Sequence, residues 1–505
     1  MNSMAKVLKD KKLKILIVAA ELAPYASVGG LSRVIPQLAR ALRQRGHDVR
    51  IFMPKFGLID EEKYPLDLVM KGLRVSTDFK QPPYLVCNVK SHQLLNSLPV
   101  YFLENQEYYE KRANVYGYSD DPRRWALLCR GVLEFVKNSA WVPDIIHAND
   151  WHTGIISNYL KTVYKNDKKL SSIVSVFTIH NLAHQGMFDH HNVSEMDFDD
   201  GRSEVSNFFS KRLNKLNFLK RGVIYSDVIN TVSEKYALEI LTPEYGEGLD
   251  QLLLELRSKL SGIVNGIDVD EFDPETDPLI PENYNCQTLA KRETNKLALQ
   301  KEFGLPQNSD APVLAYWGRL DVQKGLELLF TIIWPLLTLY EEAQFVQVGG
   351  GAGNYAQTLK KLAREFPKQV GVHPLPNFTL PRLIVSGADI VLFPSKFEPC
   401  GIVQMEAMRY GSVPVVRATG GLADTVENFN PKTDAGTGFV FKNFDKWEFF
   451  AQVVRALEVY NHKDIWQGIM KRAMKKDFSW GRIAEKYEDL YLKGIKFAAS
   501  DSPLV

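Results

Sequence analysis

Cysteine is scarce: four in 505 residues, at Cys87, Cys129, Cys286 and Cys400, with no CxxC spacing among them. That scatter excludes a disulfide framework and a cysteine zinc site, and it points to reduced thiols in a cytoplasmic, or plastid-like, compartment. Charge of one sign is lacking too. The 62 Lys+Arg and 60 Asp+Glu leave a net charge of +2 with no long single-sign block, which excludes a nucleic-acid or membrane surface and points to a small or neutral partner. No apolar run spans a bilayer: "LLFTIIWPLLTLY" (328–340) is broken by Thr331 and Pro335 and falls short of the ~20 residues required. The basic stretch before "ILIVAA" imitates a secretory signal, but Glu21 closes it too early, so it reads as a buried first strand. Neither a "GxxxxGK[ST]" loop nor a GxGxxG after the first strand is present, which disfavours a nucleotide triphosphatase or a dehydrogenase.

What is present is alternation. "KILIVAA" (14–20), "DVRIFMP" (48–54), "DIIHAN" (144–149), "SVFTIHN" (175–181), "VIYSDVINTVS" (223–233), "PVLAYWG" (312–318), "AQFVQVGGG" (343–351), "ADIVLFPS" (388–395) and "SVPVVRA" (412–418) are continuous apolar runs rich in Val and Ile. Such runs fit strands covered on both faces. Amphipathic stretches such as "SRVIPQLARALRQRG" (32–46) lie between them, giving a βαβα order and parallel sheets. The series restarts near residue 312, after a linker-like stretch (262–285) crowded with Asp, Asn, Pro and Gly. The fold class is α/β, with two doubly wound sheets. Ligands of such sheets bind beyond the carboxyl ends of the strands, so the cleft between two lobes is the expected active site.

Glycine clusters fall at these strand ends: "SVGGLSRVI" (27–35), "WGRLDVQKG" (317–325) and "TGGLADTV" (419–426). One GG needs no explanation beyond a tight turn. Three at equivalent strand ends point to backbone N–H groups cradling an anion, and Arg319 and Lys324 beside them form a candidate pyrophosphate clamp. "EPCGIVQMEAMRYG" (398–411) adds two carboxylates, Glu398 and Glu406, around a turn at Pro399, Cys400 and Gly401. His180 ends a strand, where a site reading is favoured over a core one. Trp151 and His152 either pack or line a site. Tyr108, Tyr109, Tyr116 and Tyr118 are either core residues or sugar-stacking platforms.

Together with "VYFLENQEYYEKRANVYGY", "DIIHANDWHTG", "GIVNGIDVDEFDP" and the final "FSWGRIAEKYEDLY", these motifs resemble, in order from Lys14 to Tyr491, the starch and bacterial glycogen synthase family. These are retaining glucosyltransferases of GT-B architecture. The resemblance implies a first Rossmann-like domain on the acceptor side (1–262), a second that binds the nucleotide sugar (263–478), and a C-terminal helix (479–505) crossing back to the first. It also implies transfer of glucose from ADP-glucose to an α-1,4-glucan such as glycogen, starch or a maltooligosaccharide, with no metal and no cofactor.

On that resemblance, Arg319 and Lys324 would hold the donor diphosphate. Amides around Gly29 and Gly30, and from Thr419 through Gly420 and Gly421 to Leu422, would assist. Glu398 would bind the transferred glucose, and Glu406 would turn toward the nucleotide. Asn265 would sit near the hinge. His180 would be catalytic, next to the reacting sugar, while Asp150, Trp151 and His152, near donor or acceptor, would line the cleft with Asn181 and Tyr108. Cys400 reads as a packing residue, not a nucleophile. Three departures bear on the donor. Ser27 stands where the family carries Lys, Arg33 where it usually carries Asp, and Glu406 where bacterial members usually carry Tyr. UDP-glucose, a non-polymer acceptor, or a silent glucan-binding homologue are the alternatives these departures leave open.

Overall fold

The computed structural model describes residues 11–95, 97–188, 198–377 and 379–500. The chain forms two compact units: residues 1–232, 237–263 and 480–505 make the first, and 233–236 with 264–479 the second.

The first unit is built on nine strands: β1 (Lys14–Val18), β2 (Asp48–Pro54), β3 (Asp67–Ser76), β4 (Tyr84–Leu94), β5 (Leu98–Glu104), β6 (Ile145–Asn149), β7 (Val174–Ile179), β8 (Val228–Thr231) and β9 (Leu260–Gly262). Their order is β3-β4-β5-β2-β1-β6-β7-β8-β9. All pairs are parallel except those of β4 with β3 and β5. Ile15 to Val18 are fully buried, as the unbroken apolar run requires. Helix α1 (Leu31–Gln44) follows β1, and α2 (Asp121–Asn138) covers the sheet beside β3 and β5. The helix Trp480–Ser500 returns to this unit, with Tyr491 Oη 3.0 Å from His147 Nδ1 and Arg45 bonded to Glu488 at 2.7 Å.

Two expectations need correction here. The run 223–233 is not one strand: Asn217 caps the helix Phe218–Tyr225 by accepting from the Lys220 amide, and only Val228–Thr231 is extended. Apolarity alone does not separate a buried helix end from a strand. The stretch 262–285 is irregular but not a free linker. From residue 264 it packs into the second unit, where Asp277 is buried and accepts from the Tyr410 hydroxyl at 2.5 Å.

The second unit carries β10 (Val313–Trp317), β11 (Gln344–Val348), β12 (Val370–His373), β13 (Ile390–Phe393), β14 (Val413–Arg417) and β15 (Phe439–Phe441). The order is β12-β11-β10-β13-β14-β15, parallel throughout. This is a doubly wound Rossmann-like sheet whose direction of winding reverses between β10 and β13. Helices α3 (Arg292–Glu302), α4 (Val403–Arg409), α5 (Gly420–Thr425), α6 (Lys446–Tyr460) and α7 (Lys463–Met474) belong to it. Among the described residues, no helix is long and apolar enough to cross a membrane.

Candidate active site

In each sheet the loops at the winding reversal gather the polar residues. In the second unit these follow β10 and β13. Gly325 adopts φ 64°, and a Cβ there would lie 2.0 Å from the Pro394 carbonyl oxygen, so only glycine lets the two loops meet. Their meeting sets Lys324 Nζ 2.6 Å from Glu398 Oε2, an oxygen that also accepts from Ser395 Oγ at 3.1 Å. Glu398 is 8% exposed. A lysine and a carboxylate held together at a strand-end crevice can neutralise an anion and bind hydroxyl groups from one place.

Several residues differ in detail from their expected roles. Arg319 does not pair with the same carboxylate: its Nε lies 3.5 Å from Asp321, and its side chain is 70% exposed. Gly420 and Gly421 are needed for a close approach of backbones. A Cβ at Gly420 would sit 1.8 Å from the Glu398 carbonyl oxygen, and one at Gly421 2.0 Å from that of Cys400. The Gly421 amide donates to the Glu398 and Pro399 carbonyls at 3.2 and 3.3 Å, and the Leu422 amide donates to Thr419, so neither N–H is open to a phosphate. Thr419 and Leu422 are buried. Cys400 is buried, and desolvation pushes its thiol up to about 12, which makes it inert. Asn265 bonds that thiol, while its own Oδ1 has no donor among the described residues. Glu406 is buried in the first turn of α4 and engaged within the protein. Gln404, which the sequence did not single out, donates to Gly401 O at 2.9 Å and to Thr425 Oγ1 at 3.1 Å; Thr425 in turn donates to Gly421 O at 2.6 Å. These bonds latch the 400–401 and 420–421 turns together.

In the first unit the loops after β1, β6 and β7 converge. Glu21, missed by the sequence reading except as the end of an apolar run, is 4% exposed. It accepts from the Val28 and Gly29 amides at 2.6 and 2.9 Å and from the Tyr116 hydroxyl. The Gly29 N–H is therefore committed to a carboxylate, contrary to the expected phosphate cradle. Gly30 caps α1, and a Cβ there would meet nothing within 4 Å. Ser27 Oγ lies 2.6 Å from Ser32 Oγ, which donates to Gly29 O at 2.8 Å. Arg33 is exposed and engaged within the protein.

Asp150 holds φ 58°, a region costly for a non-glycine residue, and its Oδ1 accepts from the His180 amide at 2.7 Å and the Asn181 amide at 3.4 Å. Burial, helped by the Glu21 charge, pushes its carboxyl up to about 7 despite those two bonds. His180 Nε2 lies 3.0 Å from Asn149 Oδ1, so Nε2 donates and Nδ1 is left as an acceptor. Burial lowers this imidazole to about 3, so it is neutral. His152 is 6% exposed, stacked 3.8 Å from Trp151 and edge-on to Trp125. Both Trp151 and His152 thus pack. Tyr109 is fully buried and belongs to the core, whereas Tyr108 is half-buried and gives its carbonyl to Arg124. Among the described residues no group of three or more His, Cys, Asp or Glu is arranged to hold a metal ion.

Residues 14–255 match the family model of the starch synthase catalytic domain, and 299–467 that of the glycosyl transferases group 1. A glycogen synthase of Desulforamulus reducens is 41% identical over 95% of this chain and 98% of its own length. One of Thermotoga maritima is 42% identical over 96% and 99%. The catalytic domain of starch synthase IV from Arabidopsis thaliana, solved bound to ADP and acarbose, superposes with a TM-score of 0.84 at 32% identity, covering 96% of this chain and all of that one. With two Rossmann-like sheets, these strand-end residues and relatives matched over nearly their whole length, the chain belongs to the glycogen and starch synthase family of GT-B glucosyltransferases.

Proposed function

We propose that this glucosyltransferase takes glucose from ADP-glucose and adds it, with retention of configuration, to the non-reducing end of an α-1,4-glucan in the cytoplasm. The observation that carries the reading is the Lys324–Glu398 contact of 2.6 Å at the winding reversal of the second sheet. A relative at 32% identity has been solved with ADP and the oligosaccharide analogue acarbose, which supports both an adenine donor and a glucan acceptor. The four cysteines are free, as suits a reducing compartment.

In the proposed reaction Lys324 and the exposed Arg319 neutralise the diphosphate as it departs, and Glu398 takes hydroxyl groups of the transferred glucose. The bond from the anomeric carbon to phosphate breaks, a bond to the acceptor oxygen forms on the same face, and the acceptor's proton leaves on the departing phosphate. No protein acid–base pair is required; the protein positions and stabilises charge. His180 Nδ1, kept unprotonated, accepts from a sugar hydroxyl, and Asp150 fixes its loop.

A donor panel with glycogen as acceptor, read by released nucleoside diphosphate, tests the reading. Glycogen-dependent ADP release supports it; glucan binding with no release from any donor sinks it. One observation favours a second reading, UDP-glucose or a broader donor range. The family's lysine is replaced by Ser27, whose hydroxyl is committed to Ser32, so position 27 offers no cation to the donor phosphates. Higher release from UDP-glucose than from ADP-glucose would select that alternative.

A further inference from the structure

Asn149 is the last residue of β6 and is 1% exposed. A buried carboxamide has to place two donor protons at one end and an acceptor at the other, and here the partners decide which end is which. Its Nδ2 donates to the Val18 carbonyl, at the end of β1, at 3.2 Å and to the His147 carbonyl at 3.1 Å. Turning the amide over would set Oδ1 against two carbonyl oxygens, neither of which can donate, and both bonds would be lost. The orientation of the side chain is therefore fixed by strands β1 and β6 themselves.

That orientation dictates the state of the neighbouring ring. Asn149 Oδ1 lies 3.0 Å from His180 Nε2, and an amide oxygen only accepts, so Nε2 carries the ring proton. Among the described residues the His180 ring makes no other hydrogen bond, and burial lowers its pKa to about 3. Nδ1 thus keeps its lone pair. Neither chain neighbour takes over this hold. His147, two residues earlier on the same strand, has its own ring engaged, with Nδ1 3.0 Å from Tyr491 Oη and Nε2 2.7 Å from Thr178 Oγ1. Asp150, the next residue, spends Oδ1 on the backbone amides of His180 and Asn181. Those bonds fix the loop, but a backbone contact does not choose between the tautomers of an imidazole; the bond made by a ring nitrogen does.

Given the role proposed for His180 in the transfer, we infer that Asn149 is a positioning residue for it: Asn149 holds the ring in the Nε2–H tautomer and at the one torsion that presents a bare Nδ1 to a sugar hydroxyl. The amide's two ends divide the work. Nδ2 ties the ends of β1 and β6 together, and Oδ1 sets the ring.

Nitrogen NMR of the full chain carrying labelled histidine, at neutral pH and with His180 assigned by its loss in His180→Gln, tests this together with steady-state kinetics. The wild-type ring is expected to be protonated at Nε2 and bare at Nδ1. In Asn149→Ala the tautomers exchange, the two nitrogen resonances move toward one another, and kcat falls about tenfold while donor and glucan KM stay within about twofold. A wild-type ring protonated at Nδ1 overturns the inference with no variant needed. An Asn149→Ala ring that keeps the wild-type tautomer, or a kcat within about twofold of wild type, overturns it as well. His180→Gln at wild-type kcat would overturn the role of His180 in the transfer, whereas the tautomer is read from the spectrum alone.

Discussion

At the scale of single residues, the site depends on a few side chains that burial holds in one state. Glu398 faces Lys324 at 2.6 Å with little exposure on either side chain, and removing one charge of such a pair leaves the other uncompensated. Glu398→Gln is expected to lower kcat by about 10²-fold or more, measured by ADP release. Asp150 provides a pH test. Its folded pKa of about 7 lies above the ordinary carboxyl value of 3.8, so the native state binds the proton more tightly than the unfolded one. Its stabilising contribution is complete below about 4 and is lost as pH rises through about 7. Melting curves of Asp150→Asn should therefore lack the fall in Tm that wild type shows across that window; an unchanged fall would assign it to other groups. Ser27→Lys gives up the bond to Ser32 and places a cation on the glycine loop. It should lower the donor KM by about fivefold, the value of roughly 1 kcal/mol for an exposed cation–anion contact, seen in steady-state kinetics.

At the scale of elements, the two turns of the second unit are set by backbone contacts that only glycine permits, and Gln404 ties them. Gln404→Leu removes its bonds to Gly401 O and Thr425 Oγ1. At about 1 kcal/mol each, the loss should be about 2 kcal/mol, read from denaturant unfolding, with a rise in donor KM if the turns shift. Much of this architecture was legible beforehand: the strands from Lys14, Asp48, Val313 and Gln344 start within two residues of their apolar runs, because a strand covered on both faces has no polar position to blur its ends. Strands β3, β4, β5, β9, β12 and β15 escaped notice, β3 and β4 because one face of each is solvated. Leu68, Val69 and Val86 are exposed, so no single polar/apolar pattern marks them. The roles of the glycines were legible only in part. The motif shows that glycine is needed, but whether it frees an amide for a ligand or admits a neighbouring carbonyl depends on contacts made in the fold, as at Gly421. Glu21 was hidden for the same reason, since it bonds Val28 and Gly29 across its own loop and Tyr116 from another.

At the scale of the whole molecule, the first unit is closed by the chain's far end. Ile483, Tyr487, Leu490 and Tyr491 are buried, and a Cβ on Gly494 would lie 3.0 Å from a Val174 methyl. Truncation after Ser479 should leave the first unit without part of its core and lower its melting temperature or solubility, while a bulky residue at position 494 should do so more mildly. The account as a whole rests on Lys324 acting on the leaving diphosphate with Glu398 beside it. The most direct measurement is kcat and glucan KM of Lys324→Met with ADP-glucose and glycogen. A fall in kcat of about 10²- to 10³-fold with glucan KM nearly unchanged is predicted; a kcat within about twofold of wild type would contradict it.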